Sequence, residues 1–455
     1  MKQNDNFHHT SIRNLLTLLL IGTGLTGYAE TNEGNVRPAM RPPGRDIPTA
    51  RETTPPPVLT EPEGILTLRR ALELAILNSP DLAGSLHGVR AADGNVKQAG
   101  DWSNPILELN AEEFGGSSSR KGYDGAQTTA LLTQTFELGG KRGKRRDIAL
   151  SEARLVGWEY EAKRLDIITQ TEKAFIDVLL GQGQFQLAES LLVVAEDVRK
   201  AAAARVRAGK VPPLEETKAG VEVAAARIAR DRAGRELDTA RKRLAASWGG
   251  MIPIFKEAGG ALEKVKDVIP IETLSASLDM TPEVALWNDE VALSKKKLAL
   301  ARAERVPNLD VSAGISRFEE DGTHAGVAGL SLPLPLFNRN AGGILAAKHL
   351  AARAEYEQRA ARLRVNADLV EAHSRLEIAR AEALTTKGEL LPGAQQAFDA
   401  AQTGYREGKF AYLEVLDTQR TLSEVKSRYL AVLAAYHKAA VDVERLTGSP
   451  LNTIQ

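Results

Sequence analysis

The sequence contains no cysteine, which removes disulfides, thiolate metal sites, cysteine nucleophiles and lipidation through cysteine. It also lacks an excess of either charge: 59 Lys and Arg balance 59 Asp and Glu among 455 residues. A nucleic-acid binder draws its affinity from a basic surplus, so no nucleic-acid partner is expected. Aromatic residues make up only 5%, against an ordinary 43% of hydrophobic residues. That shortage, with stretches rich in Ala, Leu, Glu, Lys and Arg, suits long helices packed closely through small side chains. Long apolar runs are missing apart from Leu15–Ile21. Past that run no spanning helix is expected, and any contact with a membrane must use strands or the surface.

Lys2 and Arg13 precede the apolar run, and Gly27-Tyr28-Ala29 follows it with small residues at the two positions that govern cleavage. The pattern predicts a secretory signal peptide over residues 1–29, because the run is well short of the roughly 20 residues that span a bilayer. Residues 30–62 include Pro42-Pro43 and Pro55-Pro56-Pro57 and read as an extended or disordered lead-in.

From there the chain repeats itself. Pro80 and Pro105 recur as Pro282 and Pro307, both at an offset of 202 (282 − 80 and 307 − 105). Gly209-Lys210 recurs as Gly408-Lys409, and Gly249 as Gly448, at an offset of 199 (408 − 209 and 448 − 249). A near-constant offset through several landmarks marks an internal duplication. The expected units are a first repeat over 63–248, a connector over 249–280 and a second repeat over 281–450.

Each copy reads as helix, strand pair, very long helix, tight turn and long helix. Leu107, Leu109 and Ala111 alternate with Glu108, Asn110 and Glu112; Leu309, Val311, Ala313 and Ile315 alternate with Asp310, Ser312, Gly314 and Ser316. Period two places apolar and polar rows on opposite faces. Partner strands are expected near 128–136 and 327–334. Hairpins from several chains closed into a barrel would remove the free edges and turn the apolar row to lipid. Residues 141–207 and 215–247 contain no proline. In the last helix Val415, Thr418, Leu422, Val425, Tyr429, Val432, Tyr436, Ala439 and Val443 alternate spacings of three and four, a coiled-coil seam.

The duplication, the strand pairs after Asn104-Pro105 and Val306-Pro307, and Gly404-Tyr405-Arg406-Glu407-Gly408-Lys409 followed by Leu413-Glu414-Val415-Leu416-Asp417 resemble the TolC family of outer-membrane efflux channels over nearly all of residues 66–450. Phe136-Glu137-Leu138-Gly139-Gly140-Lys141-Arg142 is similar to the heavy-metal branch of that family, the CzcC-type partners of resistance-nodulation-division (RND) pumps. The resemblance implies a mainly α fold with a small β part. A duplicated long-helix coiled-coil α-barrel would stand below four strands per chain, which join a trimeric 12-stranded outer-membrane β-barrel. It implies a homotrimer in the outer membrane that spans the periplasm, touches outer-membrane lipid and docks to a periplasmic membrane-fusion adaptor and an inner-membrane RND pump. Its function would be passive export of heavy-metal cations of the cobalt, zinc, cadmium, nickel or copper and silver type. The alternatives are the same duct serving drug efflux or type I protein secretion, and, from another class, a soluble periplasmic coiled-coil adaptor. Many relatives carry an acylated N-terminal cysteine; with no cysteine here, that anchor is not expected.

Three groups of site residues follow. The turns at Gly209, Lys210 and Val211 and at Gly408, Lys409 and Phe410 would meet the adaptor at the periplasmic tip, beyond the simple turn that glycine supplies. Tyr405 and Asp417 match in type the residues that close the family's periplasmic entrance; Phe410 stands where an arginine is usual, and Arg406 is the candidate substitute cation. Lys141, Arg142, Lys144 and Arg145 form a basic junction for the membrane edge, where a basic residue near anionic lipid is worth about 1 kcal/mol. The plainer reading of that junction is a solvated first turn. The polar strand row, with Glu108, Glu112 and Asp310, would line a wet lumen. The seven histidines show no ligand spacing, so neither a metal site nor a cofactor is expected. No nucleophile and base can be paired, and no enzyme activity is expected.

Overall fold

A computed structural model of the chain describes residues 61–448. The signal-peptide reading and nearly all of the lead-in lie outside the described residues. The elements are β1 (Gly64–Thr67), α1 (Leu68–Asn78), α2 (Pro80–Gly100), β2 (Ile106–Glu112), β3 (Gln127–Phe136), α3 (Lys141–Arg207), α4 (Pro213–Ala246), β4 (Phe255–Gly259), α5 (Ile271–Ser275), α6 (Pro282–Ala303), β5 (Leu309–Phe318), β6 (His324–Ser331), α7 (Ala341–Thr385), α8 (Leu391–Arg406) and α9 (Tyr412–Thr447). A π turn, Thr386–Leu390, joins α7 to α8 without a loop.

Local chemistry sets these boundaries. Ser79 Oγ accepts from Leu82 N at 3.5 Å and caps α2. Pro80 and Pro282 occupy first turns, where a missing N–H costs nothing. The long helices reverse at Gly209 and Gly408, whose φ angles of 67° and 80° lie in the left-handed region that glycine enters without strain. Helix α3 has 67 residues and, at about 1.5 Å per residue, is about 100 Å long. By length and composition alone it could cross a membrane, whereas no spanning helix is expected from the sequence past Leu15–Ile21. It also packs along its length against α2, α4, α6 and α9.

Four antiparallel strands form one sheet in the order β2-β3-β5-β6, so the two hairpins join each other through β3 and β5. β6 starts at His324 and ends at Ser331 rather than running over 327–334; Pro333 and Pro335 have no N–H to give to a ladder. A second sheet, absent from the sequence reading, pairs β1 with β4 in parallel, with Leu66 opposite Ala258.

The main core gathers Phe175, Ile176 and Leu179 of α3, Leu237 and Leu244 of α4, Leu433 and Val441 of α9, and Trp248. Glycine brings these helices close: a Cβ at Gly181 would lie 3.3 Å from Leu237, and one at Gly183 would lie 3.1 Å from Leu430. Every residue of the α9 seam is buried or half-buried. Beside it runs a ladder of ion pairs between α3 and α9: Asp166 to Arg445 at 2.8 Å, Lys173 to Asp442 at 2.5 Å and Asp177 to Lys438 at 2.5 Å.

Side chains from several helices hold the segment between α4 and α6. Gln182 accepts from Ala258 N at 2.7 Å and donates to Ala258 O at 3.1 Å. His437 Nε2 lies 2.8 Å from Leu262 O, and His373 Nε2 lies 2.9 Å from Ile269 O. With Nε2–H donating, His437 Nδ1 is buried without a partner among the described residues, and burial holds this imidazole below its usual pKa.

Candidate functional site: sheet, junction and tip

The strand register aligns side chains across all four strands. Leu107 faces Leu132, Leu132 faces Ala313, Ala130 faces Ile315 and Val311 faces Leu330. All therefore share one face, and Glu108, Asn110, Thr129, Thr133, Ser312 and Ser316 share the other. The apolar side chains are exposed, with Leu107 at 65%, Leu132 at 51%, Ile315 at 61% and Leu330 at 76%, whereas on the polar face of β3 and β5 Thr129, Thr133 and Ser312 are half-buried and Ser316 is buried; β2 is exposed on both faces. A sheet of a water-soluble protein has the opposite arrangement. The polar face is internally bonded, with Thr129 and Ser316 hydroxyls 2.7 Å apart and Thr135 Oγ1 donating to Asp310 Oδ1 at 2.6 Å. Aromatic pairs mark the two ends of the sheet: Trp102 against Phe136 (6.2 Å) and Phe114 stacked on Tyr123 (5.8 Å). Such pairs suit two membrane interfaces. Strands β2 and β6 each keep an unpaired edge among the described residues.

The basic junction is held by protein partners. Gly139 and Gly140 adopt left-handed φ angles of 74° and 68° and turn the chain from β3 into α3. Each of the four predicted cations is half-buried on a protein partner. Lys141 donates to Asn308 Oδ1 at 2.5 Å, Arg142 lies 4.0 Å over the Trp102 ring, Lys144 donates to Gly139 O at 2.9 Å and Arg145 pairs with Glu137 at 2.5 Å. Glu137 neutralises Arg145, while an amide oxygen, a carbonyl and an indole face solvate the other three cations, which would otherwise only oppose the positive end of the α3 dipole. These contacts tie β3 and α3 to the strand that begins the second hairpin.

At the tip Gly209 and Lys210 are exposed and Val211 is half-buried. Lys409 N donates to Gly404 O at 2.8 Å. The Phe410 ring rests on Gly404, where any Cβ would collide with it, and stays 45% exposed. Tyr405 is buried. Its hydroxyl donates to Glu215 Oε2 at 3.4 Å, the Arg205 guanidinium stacks 4.4 Å from its ring centre, and Arg205 Nη1 donates to its carbonyl at 3.1 Å. Tyr405 is thus brought together with the first helical hairpin, while Arg406 and Asp417 are exposed and have no ion pair among the described residues. Burial raises the Tyr405 phenol, and burial with Glu222 nearby pushes Tyr412 up to about 12. Arg420 pairs with Glu222 at 2.7 Å, a second bond between the hairpins. Arg205, Glu215, Glu222 and Arg420 are missed by sequence reasoning because each is an ordinary charge on a solvated helix until the hairpins are set side by side.

Comparison with known proteins agrees with this architecture. The chain is 36% identical over 388 residues to the cobalt-zinc-cadmium resistance protein CzcC of Cupriavidus metallidurans, covering 85% of this chain and 91% of that protein. It is 27% identical over 296 residues to the nickel-cobalt-cadmium resistance protein NccC of Alcaligenes xylosoxydans xylosoxydans, covering 65% of this chain and 67% of that protein. Among solved structures, CusC superposes with a TM-score of 0.71 at 16% identity, over 86% of this chain and 96% of CusC. The outer membrane protein VceC of Vibrio cholerae superposes with a TM-score of 0.69 at 18% identity, over 85% and 97%. Residues 71–250 and 274–449 match the family described as Outer membrane efflux protein, and the chain belongs to that family.

Proposed function

We propose that the chain is the outer-membrane conduit of a tripartite efflux system that exports divalent heavy-metal cations. The observation that carries the conduit is the sheet: its apolar face is exposed, its polar face is internally bonded, and both edges await neighbours. Three copies closing edge to edge satisfy all three features, with lipid outside and a wet lumen inside. The metal cargo is supported by relatives named for cobalt, zinc, cadmium and nickel resistance. The conduit acts passively, and an inner-membrane pump with its periplasmic adaptor selects and drives the cargo. A second reading, export of pyoverdine or a molecule like it, draws on the 26% identity to the pyoverdine export outer membrane protein OpmQ of Pseudomonas aeruginosa.

In this reading residues 63–248 and 281–450 are two copies of one unit, with 249–280 as the belt between them. The exposed tip residues Lys210 and Lys409 face the adaptor, and Tyr405 belongs to a clasp that holds the periplasmic end closed. A deletion strain should become sensitive to cobalt, zinc or cadmium and regain tolerance with the intact gene. Unchanged tolerance to all these metals, with altered tolerance to an organic compound, would overturn the metal cargo. Lys210→Glu combined with Lys409→Glu should leave the protein folded in the outer membrane yet lower metal tolerance.

A further inference from the structure

The two hairpins of the sheet are paired alike, residue for residue. In the first repeat Glu108 pairs with Leu131 and Glu112 with Gln127. In the second Asp310 pairs with Ser331 and Gly314 with Val327. The entering strands differ by 202 positions (310 − 108 and 314 − 112) and the leaving strands by 200 (331 − 131 and 327 − 127). The offset of 200 continues into the helices: Gly140 and Asn340 both start a long helix from the left-handed region (340 − 140). Duplication thus preserved the register as well as the order of elements.

One junction between repeats lies inside the chain. β3, the leaving strand of the first, pairs with β5, the entering strand of the second, with Leu132 opposite Ala313, Gln134 opposite Val311 and Phe136 opposite Leu309. On the outer edges β6 and β2 are the same two strand types, with no neighbour among the described residues. Shifted by the two offsets, the β3–β5 register sets Leu332 opposite Ala111 (132 + 200 and 313 − 202), Leu334 opposite Leu109 and Leu336 opposite Leu107. Every rung joins an apolar side chain to an apolar one. Residues 332–336 lie past the end of β6, yet they continue its apolar row and are exposed, Leu334 by 71% against 69% for Leu109.

The backbone agrees. Phe318 N donates to Thr323 O, and Glu319 N donates to Ala126 O. Even-numbered residues of β5 therefore turn their peptide groups to β6, and odd-numbered ones turn theirs to β3. Alternation along an antiparallel strand then aims the groups of Leu332, Leu334 and Leu336 at the open edge of β6. By the same alternation Leu107, Leu109 and Ala111 aim theirs at the open edge of β2. Pro333 and Pro335, which have no N–H, fall on the β5 side, past the last pair of that ladder at Asp310 and Ser331. They end the pairing with β5 and take no donor from the outer edge. Leu336 N now donates to Leu334 O at 2.8 Å, a local turn that a neighbouring strand would replace.

We propose that Leu332–Leu336 becomes a strand only on assembly, against β2 of a second copy of the chain, in the register just given. The wholly exposed Phe337 then falls opposite Ile106 of that copy. The pairing rests on the conduit reading for the presence of a second copy and adds to it the register and the residues.

Within one chain positions 109 and 334 lie on opposite edges of a four-stranded sheet, about 14 Å apart at about 4.8 Å per strand. A disulfide between them must join two copies. Leu334→Cys with Leu109→Cys, in a chain with no other cysteine, should give covalent oligomers when outer-membrane fractions are oxidised. Leu334→Cys with Leu107→Cys or with Ala111→Cys, each two residues out of register, should give them more slowly by about fivefold or more. Leu336→Cys with Leu107→Cys repeats the matched test and decides the matter if the first pair does not fold. Leu334→Pro, which removes a donor from the outer ladder, should lower the temperature at which the oligomer dissociates in detergent, and Pro335→Leu should not. The pairing is overturned if a shifted pair cross-links as fast as the matched one, or if both prolyl-site variants behave alike. It is overturned too if no pair cross-links in oligomers that an amine-reactive reagent still traps, which would leave the segment unpaired against lipid. Absence of any trapped oligomer would sink the conduit together with the pairing. Cross-links in register, in a strain whose deletion leaves metal tolerance unchanged, would count against the metal cargo and leave the pairing standing.

Discussion

The first long helix and its counterpart in the second half differ more than their shared order of elements suggests. α3 runs unbroken from Lys141 to Arg207, with glycines at 181 and 183 that let α4 and α9 close on it. The equivalent run from Ala341 to Arg406 is divided by a π turn beside Pro392. Their beginnings differ as well. Gly140 starts α3 in a left-handed conformation at no steric cost, and the cations that follow bind protein groups. Asn340 starts α7 in the same conformation and offsets its strain by donating to Ala301 O and to Glu304, both at 2.9 Å. The first half keeps one continuous helix where the second carries a π turn. The two copies share their order of elements and differ at a few glycines and one proline.

Variants that break or sharpen this contrast are ordered by expected effect. Gly314 lies where the hairpins of the two halves join, and a Cβ there would collide with the Ala130 carbonyl across the β3–β5 pair. Gly314→Val should cost about 3 kcal/mol or more by overpacking, and the level of folded protein in outer-membrane fractions should collapse. At the junction, Gly139→Ala meets both a left-handed φ of 74° and Val306 at 3.2 Å, for an expected cost of about 2 kcal/mol. Asn340→Gly loses side-chain hydrogen bonds but gains a free φ and should cost no more than about 1 kcal/mol. Urea unfolding followed by helical circular dichroism separates the two, and equal losses would deny that the halves begin differently.

His437 tests the belt between the halves. Its folded pKa lies below the ordinary value because burial disfavours the imidazolium, although Leu262 O and Glu263 favour it. The unfolded chain therefore binds more protons in mildly acid solution, and stability rises with pH there. The urea midpoint should fall as pH drops below about 6.5, and His437→Gln should flatten this contribution to the slope. The smallest effects belong to the tip. Tyr405→Phe removes one half-shielded hydrogen bond worth about 1 kcal/mol. Lys409→Ala removes an exposed pair with Glu407 and should change stability by less than about 0.5 kcal/mol. A larger loss for Lys409→Ala than for Tyr405→Phe would mean that the turn, and not the clasp, holds the tip.

Much of the fold was legible because its signals are periodic. Alternation located β2 and β5, the hairpin pattern placed β3 beside β2, the proline-free stretches bounded α3 and closely matched α4, and the threes and fours of α9 gave its buried seam. β6 was misjudged at its end because Leu332 and Leu334 continue the alternation that Pro333 and Pro335 forbid. β1 and β4 are too short to have a period, and their pairing spans most of the first half. Site residues fared less evenly. Tyr405 stood out by its neighbours in sequence, but its partners Arg205 and Glu215 sit some two hundred positions away and carry no local mark. The cations at 141–145 looked solvated in sequence because Asn308, Trp102 and Glu137 reach them only after folding.

The ion pairs between α3 and α9 have a mechanical consequence. Their signs alternate along each helix: Asp166, Lys173 and Asp177 on one side face Arg445, Asp442 and Lys438 on the other. A slip of one rung would set Asp166 against Asp442 and Lys173 against Lys438, turning attraction into repulsion at each step. The ladder thus works as a vernier, with one reading at which every mark coincides. Bending and twisting leave that reading intact, but telescoping does not. A helical body built on such a scale keeps its length constant.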